Sequence, residues 1–251
     1  MKKIIIACAF LLLIASVVAA ETALDIVNRA DEAFKGNRIH STSTMTVYQS
    51  DVAQPVQEIE SFSMEKEGRS FSLSIYQAPR RMKGTANLMI DDDLWVRFSS
   101  TGRIRKLSSS AKKNSAGGSD FSYADMGEEG GGLSEKYTPR LTGEETVEGE
   151  LCHEIELTAA RDDAPYEKMV VYIGKDTYRY WKIDYFEGGA NIKSMSFYDY
   201  RSVNGKDYPF AYTMFSHTKP SRTEVVVKTF EVDSLKVEDR MFSTRYLETI
   251  R

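Results

Sequence analysis

The sequence has little of what usually announces a catalytic or metal centre. It holds three histidines and two cysteines in 251 residues. His40, His153 and His217 lie far apart, and no His or Cys pair has the spacing of a zinc site. A GxSxG elbow, a GxGxxG turn and a GxxxxGK[ST] loop are all missing, so elbow hydrolases, dinucleotide enzymes and P-loop NTPases find no support. Basic residues are not in excess either. The formal charge is −4, which disfavours non-specific nucleic-acid binding, because that rests on phosphate neutralisation. What is present is 41% hydrophobic and 28% charged residues, the balance of a globular chain with a sizeable core.

One long hydrophobic run opens the chain. Lys2 and Lys3 precede an apolar stretch from Ile4 to Val18, broken only by Ser16, and Val18-Ala19-Ala20 offers small residues for cleavage. Residues 1–20 therefore read as a cleavable signal peptide, too short for a stable membrane span, and the mature protein is expected in the periplasm. Ile5-Ile6-Ala7-Cys8 has the local look of a lipoprotein box, but only four apolar residues precede Cys8, fewer than a signal core needs. With Cys8 removed, Cys152 stands alone and no intramolecular disulfide is possible.

Residues 21–251 read as one domain. Thr22 can cap a helix over about 22–35, with Asp25 as its partner, Ala23, Val27, Ala30 and Phe34 on one stripe, and Gly36 as a stop. The period then changes to two. Met45 and Val47, Phe62 and Met64, and Phe71, Leu73 and Ile75 each alternate with polar residues. The same pattern recurs to Val225 and Val227, with short turns such as Glu67-Gly68, Asp91-Asp92-Asp93 and Asn204-Gly205 between runs. About eleven antiparallel strands in series predict a mainly β fold, a meander that curls into a half-open barrel. The N-terminal helix and a short lid helix would cover its concave face.

The hollow of such a cradle is expected to be apolar. Its candidate lining is Val27 and Phe34 from the helix, then Met45, Val47, Phe62, Met64, Phe71, Leu73, Ile75, Leu88, Trp95 and Phe98 from the strands. Residues 107–132 break the strand rhythm. Their ends are rich in serine and glycine, and Ser119 can cap a short helix carrying Phe121, Ala124 and Met126. Phe121, Tyr123 and Met126 complete the candidate lining, on a segment expected to be a flexible lid or a surface loop with a sticky turn. Basic residues cluster at Arg80, Arg81, Arg103 and Arg105, a candidate contact for anionic head groups or an acidic partner, or simply a solvated strand face. By alternation His153 falls on the apolar face of its strand, as a structural histidine. Cys152 falls with Glu154 and Glu156, which disfavour its thiolate.

Four blocks are similar to a known family: Ala78-Pro79-Arg80-Arg81-Met82-Lys83-Gly84-Thr85-Ala86, Leu94-Trp95-Val96, Arg103-Ile104-Arg105-Lys106-Leu107 and Gly118-Ser119-Asp120-Phe121-Ser122-Tyr123-Ala124-Asp125-Met126. They resemble the LolA-like outer membrane lipoprotein-sorting proteins, as does the close Met241-Phe242-Ser243-Thr244-Arg245-Tyr246-Leu247. The resemblance implies a half-open barrel with helices at its mouth. It also implies a monomeric periplasmic carrier that shelters the acyl chains of lipoproteins or other lipids, with no cofactor and no nucleic acid. An inner-membrane transporter would be its loading partner. A lipid-sensing regulator on the same scaffold, binding a membrane signalling partner, is the alternative. An enzyme using the cradle as its site is a second one. Burial of each acyl methylene is worth about 0.8 kcal/mol, enough for a covered hollow to hold a chain without covalent chemistry.

Overall fold

A computed structural model describes residues 21–127 and 132–251. The expected signal peptide, Cys8 and residues 128–131 of the expected lid lie outside the described residues. The first helix, α1, forms over Ala23–Phe34. Thr22 caps it: its hydroxyl accepts from the Asp25 N–H at 3.2 Å, and the Asp25 carboxylate accepts from the Thr22 N–H at 3.1 Å. It ends on Lys35 in an extended conformation, not on a left-handed Gly36.

Strands follow as β1 (Ile39–Gln49), β2 (Val52–Ala53), β3 (Gln57–Lys66), β4 (Arg69–Ala78), β5 (Ala86–Ile90), β6 (Asp93–Arg97) and β7 (Ile104–Lys106). Two single-turn helices come next, α2 (Ser109–Lys112) and α3 (Leu133–Lys136). The second run of strands is β8 (Tyr137–Val147), β9 (Glu150–Ala159), β10 (Lys168–Gly174), β11 (Tyr180–Glu187), β12 (Ala190–Val203), β13 (Lys206–Ser216) and β14 (Ser221–Glu231). A last helix, α4, spans Thr244–Thr249. The expected lid helix after Ser119 is instead a set of turns ending in a 3-10 turn at Asp125–Gly127.

All fourteen strands join one antiparallel sheet, against the eleven expected. The largest omission was β8, where alternation is weak because only Tyr137 is buried along it. The order is β7-β6-β5-β4-β3-β1-β14-β13-β12-β11-β10-β9-β8, with β2 beside β1. Two meanders therefore zip together where β14 pairs with β1. The sheet stays open, with β7 and β8 as its edges. Residues 107–127 leave one edge and residues 132–136 enter the other, so the break in the strand rhythm falls between the two open edges.

Two hydrophobic clusters lie on opposite faces. The first packs Ile26, Val27 and Ala30 of α1 against the concave face of the second meander, including Ile155, Leu157, Met169, Val171 and Met214. The second joins Phe62, Met64, Leu73, Ile75 and Leu88 on the convex face of the first meander to Val237, Met241, Phe242 and Leu247 of the C-terminal segment. Alternation along β3 and β4 was correct. The cover over their apolar face is the chain's own end.

Candidate functional site

A cavity of about 210 Å³ lies between α1, the sheet and the residues Phe121, Asp125, Met126 and Leu133. One side is walled by Phe34 of α1, Phe121 and Met126 of the crossing segment, and Met169, Ile183, Tyr185, Met195, Phe197 and Tyr212 of the second meander. Phe121 meets Tyr212 edge-on, with ring centres 6.0 Å apart. Phe34 meets Tyr180, Phe197 and Tyr208 in the same manner, at 6.3–6.5 Å. The other side carries Ser41, Ser61, Ser63, Ser72 and Ser74, beside Ile39, Met89, Val227 and Phe230.

The sequence-named residues distribute as follows. Phe34, Phe121 and Met126 line the cavity, and Met45 lines a small adjoining pocket. Val27 is buried beneath α1 in the first cluster. Phe62, Met64 and Phe71 border the cavity, but their side chains pack in the second cluster. Leu73, Ile75, Leu88 and Trp95 belong to that cluster and do not line the cavity. Val47 is buried outside both clusters, and Phe98 and Tyr123 are half-buried away from the cavity. Arg80, Arg81, Arg103 and Arg105 are exposed and line no part of the cavity. A bond from the Ser99 hydroxyl to the Arg81 carbonyl, at 3.2 Å, and the pairing of Phe98 with Arg103 bring Arg81 and Arg103 to one rim.

Sequence reading missed a set of buried carboxylates that fasten the cover. Asp31 of α1 accepts from the Gly132 and Leu133 N–H groups at 2.9 and 3.2 Å, and from the Tyr180 hydroxyl at 2.7 Å. Asp120 accepts from the Thr223 hydroxyl at 2.7 Å and from Lys219 at 3.0 Å. Asp125 accepts from the Ser122 N–H at 2.6 Å and the Tyr166 hydroxyl at 2.7 Å, and pairs with Lys193, both side chains being nearly sealed from water. Gly117 and Gly118 take positive φ angles of 61° and 77°, which set up the turn that delivers Asp120 and Phe121. The signal was present: Asp31 lies beside the apolar stripe of its helix, and Asp120 and Asp125 fall in the family-like block. An acid beside a buried stripe needs partners, and here the partners are the cover.

Burial raises the Asp31 carboxyl above its ordinary value, with Tyr180 and the two backbone donors opposing the shift. The native state then holds an extra proton between about pH 4 and the raised value, so this group's contribution to stability falls as pH rises through that window. Asp31→Asn is expected to remove that slope. Urea midpoints measured from pH 4 to 8 should move in favour of the Asn variant as pH rises, and a parallel pair of curves would contradict the assignment.

His153 and Cys152 stay outside the cavity. His153 is pulled below its ordinary value by burial and by Lys175. The Cys152 thiol is fully buried and pushed up to about 11, first by burial and then by Glu150 and Glu145, not by Glu154 and Glu156. At pH 8 only about one thiol in a thousand is then ionised. A protein of residues 21–251 is expected to react with Ellman's reagent only in denaturant. Immediate reaction of the native protein would contradict this burial. Among the described residues, no group of three or more His, Cys, Asp or Glu could hold a metal ion, and no helix is long and apolar enough to cross a membrane.

A family model described as an uncharacterized protein, "-like", matches residues 68–249. The chain belongs to this family. Its architecture recurs in solved LolA-type structures. A domain classed with outer membrane lipoprotein-sorting proteins, from Vibrio parahaemolyticus, superposes with a TM-score of 0.80 at 23% identity, over 90% of this chain and 98% of that one. A DUF1329 family protein from Desulfovibrio piger gives 0.81 at 22%, over 90% and 97%. A LolA superfamily protein from Nitrosomonas europaea gives 0.75 at 20%, over 90% and 99%. This chain thus shares the fold of these three structures. No curated protein matches it.

Proposed function

We propose that the protein is a periplasmic carrier that shelters acyl chains of lipoproteins or other lipids between membranes. The observation that carries this reading is the covered cavity, with a wall of aromatic and methionine side chains and a cover that belongs to a single crossing segment. Methionine adapts to varied chain shapes, and Met126, Met169 and Met195 all reach this wall. Size argues for a moving cover. The hollow exceeds the roughly 150 Å³ that encloses benzene, yet falls below the roughly 300–1,000 Å³ of pockets for larger ligands. A whole acyl chain therefore requires Phe121 and its neighbours to swing out.

The rival reading as an enzyme asks for free acid and base groups inside the cavity. Asp31 and Asp125 do border it, but their oxygens are engaged by the cover and the sheet, and His153 is not among the lining residues. This supports sheltering over chemistry. Arg80, Arg81, Arg103 and Arg105 have no ion pair among the described residues and are the proposed contacts for an acidic partner such as a loading transporter.

Protein expressed with its leader and extracted with organic solvent is expected to release an acyl lipid, identified by mass spectrometry, in near-stoichiometric amount. Ile183→Trp, which fills the hollow, should lose it, with an overpacking cost of about 1–3 kcal/mol. Lipid-free protein that also binds no fluorescent acyl probe would defeat the reading.

A further inference from the structure

One wall of the cavity carries serine hydroxyls that the other lacks. On the concave face of the first meander a polar row crosses four neighbouring strands. Ser41 of β1 stands opposite Ser61 of β3, Ser61 opposite Ser74 of β4, and Ser74 opposite Asn87 of β5. Ser61 and Ser74 share a bond at 3.1 Å. The Ser41 hydroxyl has no protein partner among the described residues. Asn87 closes the row and is only 6% exposed. Its amide nitrogen meets the sulfur of Met126 at 3.8 Å, and its buried oxygen has no partner. Met126 itself lines the cavity.

A sheltered acceptor without a donor carries a desolvation cost, and half-buried strand serines give up packing that Val or Thr would supply. A ligand that brings hydroxyl donors and ester acceptors answers both. Its charge is also constrained. The one basic side chain among the described lining residues is Lys35, already paired with Glu32 at 3.1 Å and near Glu65 at 3.8 Å. No guanidinium is present to hold a phosphate.

We propose that the row Ser41–Ser61–Ser74–Asn87 is a head-group subsite for an uncharged acylglycerol, whose hydrocarbon tail lies against the aromatic wall. Serine hydroxyls donate to ester carbonyls; Asn87 lines neither pocket, and its oxygen accepts from the glycerol hydroxyl once Met126 moves aside with the cover. This rests on the carrier reading and names its ligand class. The acylglycerol has two sources with the same chemistry: a free lipid, or the glyceryl group on a lipidated protein's N-terminal cysteine.

Competition against a fluorescent acyl probe tests it, with ligands of equal chain length. Monoacylglycerol is expected to displace the probe about tenfold more tightly than the n-alkane, the worth of roughly one net hydrogen bond. Lysophosphatidic acid should compete less well than monoacylglycerol. In Ser41→Ala/Ser61→Ala/Ser74→Ala the monoacylglycerol should fall to the alkane's value while the alkane is unchanged, which also shows that the variant is folded. A peptide bearing the acylglyceryl group on cysteine is the second arm. Competition tighter than the alkane's by either source supports the subsite, and the tighter source identifies the cargo. Equal competition by alkane and monoacylglycerol, or preference for the phosphate, overturns the subsite and leaves the carrier standing. Absence of any probe binding overturns the carrier reading and the subsite together.

Discussion

Asp125→Ala is expected to loosen the cover and to lower the melting temperature by roughly 6–20 °C. Asp125 and Lys193 exclude water from one another, with side chains 2% and 9% exposed. Lys193 also sits 5.0 Å from the ring centres of Tyr166 and Tyr185, so its ammonium is embedded among aromatics. Removing the carboxylate leaves that charge buried and unpaired. Such a change costs about 3–5 kcal/mol, and a domain of this size shifts by about 2–4 °C per kcal/mol. The same substitution takes an acceptor from the Tyr166 hydroxyl, which holds residues 115–127 to the loop before β10, and from the Ser122 N–H within that segment. Amide exchange in that segment is therefore expected to quicken more than exchange in β9–β12. Adding Lys193→Met should recover much of the loss, because the orphan charge is gone. Unchanged melting and unchanged exchange in Asp125→Ala would mean that the carboxylate does not fasten the cover.

Phe242→Ala is expected to cost about 3–5 kcal/mol, read as a fall in the urea midpoint with a similar slope. Phe242 is buried and packs on Phe71, with ring centres 5.7 Å apart, in the cluster that also holds Phe62, Leu73 and Leu88. Truncation leaves a hole that rigid strands on one side and a short helix on the other cannot close. Leu247→Ala, at a fully buried position in the same cluster, should cost about 2–5 kcal/mol. Leu235→Ala is the internal control: that side chain is 97% exposed, and its loss should be silent. Equal small effects from all three would show that the C-terminal segment does not clamp the first meander.

The same cluster explains where sequence reading stopped. Alternation identified the apolar residues of β3 and β4, and it identified them correctly as one face. It could not say which face turned inward, because each face of a curved sheet can be buried. The sequence offered α1 and the lid segment 107–132 as covers, and no pattern in it pointed to the C-terminal segment as a third. Hydrophobic residues went under the C-terminal segment, and Ser61, Ser63, Ser72 and Ser74 were left to line the hollow. The lining from the second meander, Met169, Ile183, Tyr185, Met195, Phe197 and Tyr212, was not named from the sequence, although its runs alternate in the same way. The helix and its Thr22–Asp25 cap were also readable, since capping is local. The buried acids were not. Asp31 meets Gly132 and Leu133 about a hundred residues away, a contact that no local pattern announces. The segment 107–132 was legible as a break in rhythm. Its place across the mouth follows only from β7 and β8 being the two open edges.

The central claim is that hydrocarbon occupies the hollow beneath Phe121. Irradiating the protein with a photoreactive diazirine fatty acyl probe, followed by peptide mapping, reads this directly. Adducts should concentrate on Phe34 of α1 and on Met169, Met195 and Phe197, and should diminish in Ile183→Trp. Labelling confined to exposed side chains such as Leu151 or Val52, or unaffected by filling the hollow, would contradict the account.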